Sequence, residues 1–279
     1  MRRLAIMFGL LAMTHFGVVR AAASVRTEQV EVQLVSESSA LAPGATTWLG
    51  LRLKHAPSWH TYWINPGDSG LPTKLKWILP EGYRADDIDW PTPQRFSVGE
   101  LANFGYGSEV LLPVAMRVPA GAKPGASVSI AVDVRWLVCH EECIPGRAML
   151  TLDLPVAMQV QIDPHWRSAF ANARAMQPQG EPLKAIARDT GNQIEVRLAD
   201  VDLGRDARVD AFAAQTKVVA NMRPTVSVRD AGTLLTFAKS DYFTSIPDAI
   251  DLVLVRAHAP ALRVHATFAG SAALSSSPE

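Results

Sequence analysis

Apolar and polar residues alternate at period two along most of the chain. Val30, Val32 and Leu34 alternate with Glu31 and Gln33, and Leu49, Leu51 and Leu53 alternate with Gly50, Arg52 and Lys54. The longest run is Val128, Ile130, Val132, Val134, Trp136 and Val138, answered after a loop of about ten residues by Leu150, Leu152, Leu154 and Val156. Successive side chains of a strand point to opposite faces, so such alternation predicts half-buried antiparallel strands. Turn-forming stretches such as Asn65-Pro66-Gly67-Asp68 and Pro91-Thr92-Pro93 punctuate them. Short strands with this punctuation predict a β-sandwich, not a parallel sheet.

The pattern breaks near residue 160. Asp163 is placed to cap a short helix with Pro164 at its first position, and Trp166, Phe170 and Ala173 share one face of that helix. Strand patterns then resume at Ile194/Val196/Leu198, Val226/Val228, Leu252/Leu254 and Leu262/Val264/Ala266/Phe268, with Asp230-Ala231-Gly232 as a hairpin turn. The expectation is an all-β protein of two β-sandwich domains joined by a short helix. The first domain spans 24–160, the helical linker 161–182 and the second domain 183–270, with a flexible tail at 271–279.

The first residues read as a processing segment. Arg2 and Arg3 precede an apolar run from Leu4 to Val19, and Ala21-Ala22-Ala23 supplies a small-residue cleavage site. The run is short of the ~20 residues that a membrane span needs. The expectation is a signal peptide over 1–23, cleaved near Ala23, with no transmembrane segment afterwards and secretion into an oxidising compartment. Composition narrows the rest. Hydrophobic content is 48%, which excludes global disorder, and Lys+Arg 27 balance Asp+Glu 27. No basic field points to nucleic acid. All seven tryptophans lie at or before residue 166, so the two halves differ in character.

The candidate chemistry is a pair of cysteines, Cys139 and Cys143, at the tip of the strongest hairpin pattern. A bridge closing so short a loop removes only ~2 kcal/mol of unfolded-state entropy, so it is a weak staple. An oxidising compartment lets it persist either as a redox pair or as a local structural disulfide, and spacing alone leaves both open. His140 beside Cys139 favours a thiolate, whereas Glu141 and Glu142 oppose one. The pair therefore suits an electron relay attacked by a partner's thiolate. A metal reading through Cys139, His140 and Cys143, with His60, lacks a fourth ligand at recognisable spacing, and no metal or cofactor is expected. Gly67-Asp68-Ser69-Gly70 sits in a turn instead of a strand-to-helix elbow, so it is not read as a serine-nucleophile box. Trp59, Tyr62 and Trp63 read as sandwich core.

Four stretches carry a family resemblance. They are His60 to Pro72 (HTYWINPGDSGLP), Trp90 to Arg95 (WPTPQR), Phe104-Gly105-Tyr106-Gly107, and Trp136 to Pro145 (WLVCHEECIP). In this order they resemble the periplasmic N-terminal, disulfide-bond-corrector region of DsbD/ScsB-type thiol-disulfide interchange proteins. The resemblance covers roughly residues 28–157 and continues more weakly through the second half. It implies immunoglobulin-like sandwiches and a thiol-disulfide oxidoreductase component in which Cys139 and Cys143 are the catalytic pair. It also implies a cap of aromatic residues around Phe104 and Tyr106, with His140, Glu141 and Glu142 as modulators. The implied partners are a membrane-embedded thiol reductase and periplasmic thioredoxin-like proteins, in cytochrome c maturation or copper and metal-stress protection. The spacing C-x3-C follows ScsB-like members. Ala102 and Asn103 stand where DsbD has acidic residues. The alternative is a non-catalytic periplasmic binding module with a structural disulfide.

Overall fold

The computed structural model describes residues 24–203, 208–229 and 232–269. The expected signal segment 1–23 and the tail 271–279 lie outside these residues, as do the turn residues Asp230 and Ala231. The elements in chain order are β1 (Ser24–Arg26), β2 (Val30–Ser36), β3 (Ser38–Ala40), β4 (Thr46–His55), β5 (His60–Gly67), β6 (Lys74–Ile78) and β7 (Arg84–Ile88). They continue with β8 (Gln94–Val98), β9 (Leu101–Gly107), β10 (Glu109–Arg117), β11 (Ser127–Cys139), β12 (Cys143–Pro155), β13 (Gln161–Ile162) and α1 (Arg167–Ala175). The remainder are β14 (Gln179–Asp189), β15 (Gln193–Leu198), β16 (Val209–Ala213), β17 (Thr225–Arg229), β18 (Gly232–Ala238), β19 (Ala249–Arg256) and β20 (Ala259–Phe268). The protein is all-β, as the alternation predicts.

The first half is a sandwich of two sheets. One runs β1-β2-β4-β10-β7, and the other runs β12-β11-β5-β9-β8, with β6 also pairing β11. Their inner faces supply the core rows read from the sequence: Val30, Val32 and Leu34; Leu49, Leu51 and Leu53; and Val128 through Val138 at every second residue. The β11–β12 hairpin is long and unbroken, in register from Ser127↔Pro155 to Cys139↔Cys143. β5 and β6 share the other edge of β11. Cys139 pairs with His60 and Val138 with Thr61, whereas Arg135 pairs with Lys74. Between Tyr62 and Lys74 the chain therefore leaves β11 and returns. That excursion contains the Asn65-Pro66-Gly67-Asp68 turn chemistry.

The second half is a second all-β unit. Its seven strands hydrogen-bond in one path, β16-β19-β20-β14-β15-β18-β17, around a separate apolar core. β14 and β20 pair in parallel. The β17–β18 hairpin forms as expected, with Arg229 opposite Gly232.

The helix starts later than its sequence signals. β13 still pairs with β3, and the Asp163 N–H donates to the Glu37 carbonyl, so the chain must turn before it can run over the sheet. Asp163 caps that turn: its carboxylate accepts the His165 N–H at 2.8 Å. α1 then begins at Arg167, without a side-chain cap. The predicted face is correct, since Phe170 and Ala173 are buried with Val35 and Leu111, and Trp166 packs against them. Gly50 makes room here, because a Cβ at that position would meet Leu111 and Phe170.

The halves interlock beside the sandwich core. Phe212 from β16 belongs to the core cluster of the first half, edge-on to Phe104 at 4.9 Å and to Trp63 at 6.3 Å. The Arg95 guanidinium lies 4.8 Å from the Phe104 ring centre, and its Nη2 donates to Asp210 Oδ1 at 2.6 Å. Asn65 Nδ2 donates to the Ala213 carbonyl at 2.8 Å. Truncating Phe212 removes an aromatic wedge from a packed interior, so Phe212→Ala should cost about 3–5 kcal/mol. Urea denaturation followed by tryptophan fluorescence checks this. Every tryptophan lies in the first 166 residues, so a loss seen there places the damage in the first half.

Candidate functional site

The two cysteines are joined as a disulfide, with Cα atoms 4.3 Å apart. Their position follows from the hairpin register. Val138 faces the core, so its neighbour Cys139 must face the outer side of the sheet, and Cys143 opposite shares that side. Pairing continues across the sheet from Cys139 to His60 on β5 and from His60 to Gly107 on β9. Cys143, Cys139, His60 and Gly107 thus form one transverse row on one face. Tyr62, two residues beyond His60, shares the face. Its hydroxyl lies 3.2 Å from Cys143 Sγ. The two cysteines are unequal: Cys139 is 2% exposed, whereas Cys143 is exposed to solvent.

Aromatic rings cover the row. Phe96 from β8 stacks on His60, with ring centres 4.5 Å apart and planes 4° off parallel. Gly107 makes room for it, because a Cβ there would stand 3.3 Å from the Phe96 ring. The excursion between β5 and β6 covers Tyr62 from another side. Gly70 adopts φ +99° directly over the Tyr62 ring, where no side chain would fit. Ser69 Oγ donates to Asn103 Oδ1 at 2.9 Å, and Asp68 Oδ2 accepts the Ala102 N–H at 2.7 Å. The Gly67-Asp68-Ser69-Gly70 stretch is thus a clamp that seats Tyr62.

The site residues expected from the sequence divide into two groups. His140, Glu141 and Glu142 form the exposed turn beside the sulfurs, where the His140 N–H donates to the Glu142 carbonyl at 3.3 Å and Trp59 lies 5.9 Å from the His140 ring. Phe104 and Tyr106 lie elsewhere. They alternate with Gly105 and Gly107, and Tyr106 pairs with Thr61, so the glycines face the sulfur side and the two rings face the core. Phe104 packs on Phe212, and the Tyr106 hydroxyl donates to the Pro91 carbonyl at 2.7 Å. The aromatic residues over the sulfur row are Tyr62, His60 and Phe96. From residue order, Tyr62 reads as core, and His60 enters as a candidate metal ligand and as the first residue of a family stretch. Alternation within His60-Thr61-Tyr62-Trp63 separates the two faces, but only the register with β11 says which face holds sulfur.

Burial dominates the electrostatics. The His60 imidazole is pushed down to about 4 by desolvation and, secondarily, by the positive charge of His140 nearby. Burial also raises the Tyr62 phenol, partly offset by its hydrogen bond with Ser69. His55 supports the row from the core side, with Nε2 3.0 Å from Thr61 Oγ1 and Nδ1 3.1 Å from the Ser108 carbonyl. Burial lowers it to about 4 as well. A neutral phenol at Cys143 and a neutral imidazole beside Cys139 are both able to donate a hydrogen bond to a sulfur that becomes a thiolate. Among the described residues no group of three or more His, Cys, Asp or Glu is placed to hold a metal ion. A cleft of about 840 Å³ lined by Trp63, Trp90, Lys184, Arg263 and His265 lies between the halves, and neither cysteine lines it.

Residues 31–155 match the family described as the N-terminal region of the thiol:disulfide interchange protein DsbD. The N-terminal periplasmic domain of ScsB from Proteus mirabilis superposes with a TM-score of 0.65 at 16% identity, covering 88% of this chain and 96% of that one. At that identity the likeness establishes the fold, through both halves. An I-band fragment of titin matches at 10% identity over 87% of this chain and 66% of that one, with a TM-score of 0.20. A comparison with curated proteins finds no match.

Two outcomes follow from this geometry. Tyr62→Phe removes the donor at Cys143, and hydrogen bonds to charged groups contribute about 1.5–3 kcal/mol. The Cys143 thiol of the reduced protein should therefore titrate about one to two units higher in the variant. Alkylation rate against pH measures the shift. The second outcome concerns acid. His55 titrates near 4 when folded, against 6.5 when unfolded, so the unfolded chain binds the proton more readily. The contribution is complete above pH 6.5 and is lost as pH falls towards 4, by about 3 kcal/mol, with His60 adding in the same direction. Urea unfolding at pH 7 and pH 4.5 checks the slope, which His55→Asn should flatten.

Proposed function

We propose, from the premise that residues 31–155 are a DsbD/ScsB-type N-terminal domain, that the protein is a periplasmic thiol-disulfide interchange module. Electrons pass through the Cys139–Cys143 pair. The observation that carries the reading is the unequal exposure of the two cysteines, with the Tyr62 hydroxyl at the sulfur of the more exposed one. A partner thiolate reaches only the exposed Cys143 Sγ in line with the bond. Attack there forms a mixed disulfide with the partner and expels Cys139 as the thiolate. The partner's second thiolate then attacks its own sulfur in the mixed disulfide and releases Cys143, whose negative charge the Tyr62 hydroxyl meets. The partner leaves oxidised and the pair leaves reduced by two electrons. The reduced pair hands its electrons on by the reverse sequence, with Cys143 attacking an acceptor disulfide.

The setting supports a relay over a self-activated nucleophile. Thioredoxin-type cysteines gain thiolate character at helix N-termini, whereas this pair sits on a hairpin with Glu141 and Glu142 in its turn. Activation must come from the partner's thiol. The donor would be a membrane-embedded thiol reductase and the acceptors periplasmic thioredoxin-like proteins, with cytochrome c maturation or copper and metal-stress protection as contexts. The cover of Phe96, His60 and Tyr62 would restrict access to partners that dock across the β8 side of the sheet. The division into a redox domain at 24–160, a helical linker at 161–182 and a second domain at 183–270 is part of the same proposal. The second domain would hold the first in shape through Phe212 and Asp210.

The two single-cysteine variants should behave asymmetrically. Cys139→Ser leaves the exposed sulfur and should trap a stable mixed disulfide with a thioredoxin-like partner, whereas Cys143→Ser leaves the buried one and should trap little. Non-reducing electrophoresis after mixing with an oxidised partner reads this directly. A redox titration decides against the alternative of a structural bridge: a relay should lie above about −300 mV, and a potential below that value ends the reading.

A further inference from the structure

Each cysteine of the pair has a polar residue next to it on the sheet face. For Cys143 that group is the Tyr62 hydroxyl, at 3.2 Å. For Cys139 it is His60, its cross-strand partner. Directly paired residues of antiparallel strands hold their Cβ atoms about 4.5–5.5 Å apart on the same face, within reach of an imidazole. His60 is 2% exposed, and its Nε2 is buried without a hydrogen-bond partner. Buried polar atoms of native proteins are nearly always paired, so an orphan signals a partner that this state of the protein does not supply. A disulfide sulfur is a poor acceptor. A thiolate is a strong one.

Resting on the redox reading above, we propose that His60 is the proton-holding neighbour of Cys139: on reduction its imidazole becomes the hydrogen-bond partner of the Cys139 sulfur. When a partner dithiol attacks Cys143 Sγ, the Cys139–Cys143 bond breaks and Cys139 Sγ takes the electron pair. That sulfur is buried, so water does not solvate its charge. The imidazole N–H donates to it, and a proton from solvent neutralises the thiolate–imidazole pair. The second attack releases Cys143 beside Tyr62. In total the partner gives two electrons to the pair and its two thiol protons to solvent; solvent returns one proton to the Cys139–His60 pair and a second to the Cys143 thiolate. Phe96 fixes the imidazole plane from the β8 side, where Gly107 leaves room. The titratable groups facing His60 are Cys139 on β11, Tyr62 on its own strand, His140 in the hairpin turn and His55 on β4. None of these is a carboxylate, so the new negative charge on reduction is the one that His60 would feel.

The test uses the full mature chain, oxidised and after reduction with dithiothreitol, followed through its imidazole resonances by NMR. On reduction the His60 resonances should shift and its titration midpoint should rise by at least one pH unit, while His265, paired with Asp251, stays where it is. A second measurement uses Cys143→Ser, with the ultraviolet thiolate absorbance of Cys139 read against pH. Adding His60→Leu should raise the Cys139 midpoint by about one unit, or about tenfold less thiolate at neutral pH, and His60→Asn, which restores a donor, should recover part of it. Identical His60 titrations in the two redox states overturn the proposal, and the NMR measurement answers even where His60→Leu fails to fold. Because dithiothreitol forms the reduced state chemically, this result is separate from the redox potential, whose failure would sink the relay reading instead.

Discussion

The site depends on one register. β11 and β12 pair without a slip from Ser127↔Pro155 to Cys139↔Cys143, and β11 buries every second side chain from Val128 to Val138. A strand shifted by one residue would turn that apolar row to solvent and the sulfurs into the core, so the hydrophobic energy of the whole row holds the cysteines on the outer face. The disulfide adds little to this. It closes a loop too short to restrain the unfolded chain by more than ~2 kcal/mol, and the hairpin brings the sulfurs together in any case. Chemistry at the tip and stability along the shaft are therefore separable. Such separation lets a bond open and close without unfolding its carrier.

Around that tip, the sandwich builds a small environment from neighbouring strand ends. β5 contributes His60 and Tyr62, β8 contributes Phe96, and the excursion before β6 supplies the glycine and serine clamp over Tyr62. The second half acts at a distance. Phe212 fills the core behind Phe104, and the Arg95–Asp210 pair, both side chains 14% exposed, ties β8 to β16. Since β8 carries Phe96, the interlock of the two halves also sets the ring that covers His60. A partner docking over β8 would meet a cover whose position is shared between both halves.

The electrostatic character of the site comes from burial of neutral donors. No helix dipole points at the sulfurs, because the one helix among the described residues lies over β10. The buried titratable groups around the row are two depressed imidazoles and a raised phenol, all shifted chiefly by desolvation. Neutral groups in a low-dielectric setting leave the disulfide form unperturbed and respond only when charge arrives on sulfur. A relay needs that behaviour more than it needs a permanently activated thiolate.

Much of this was legible from residue order. The alternation of Val128 to Val138 and its answer in Leu150 to Val156 named the hairpin, and with it the two cysteines at one tip. Phe170 and Ala173 named the buried helix face, because period and polarity are local properties of a chain. The start of α1 was misplaced, since the pairing of β13 with β3 holds the chain past Asp163 and overrides a sound capping signal. The aromatic cover was also misassigned, from Tyr62 and Phe96 to Phe104 and Tyr106. Which of two alternating sets faces sulfur depends on how β5, β8 and β9 align with β11, and those alignments join residues from His60 to Cys139. Residue order alone marks the strands, the hairpin and the cysteine pair at its tip, all of which rest on neighbours within a few residues. Only the tertiary structure decided which side chains stand beside each sulfur, because long-range register is set by packing the whole sandwich and leaves no local mark.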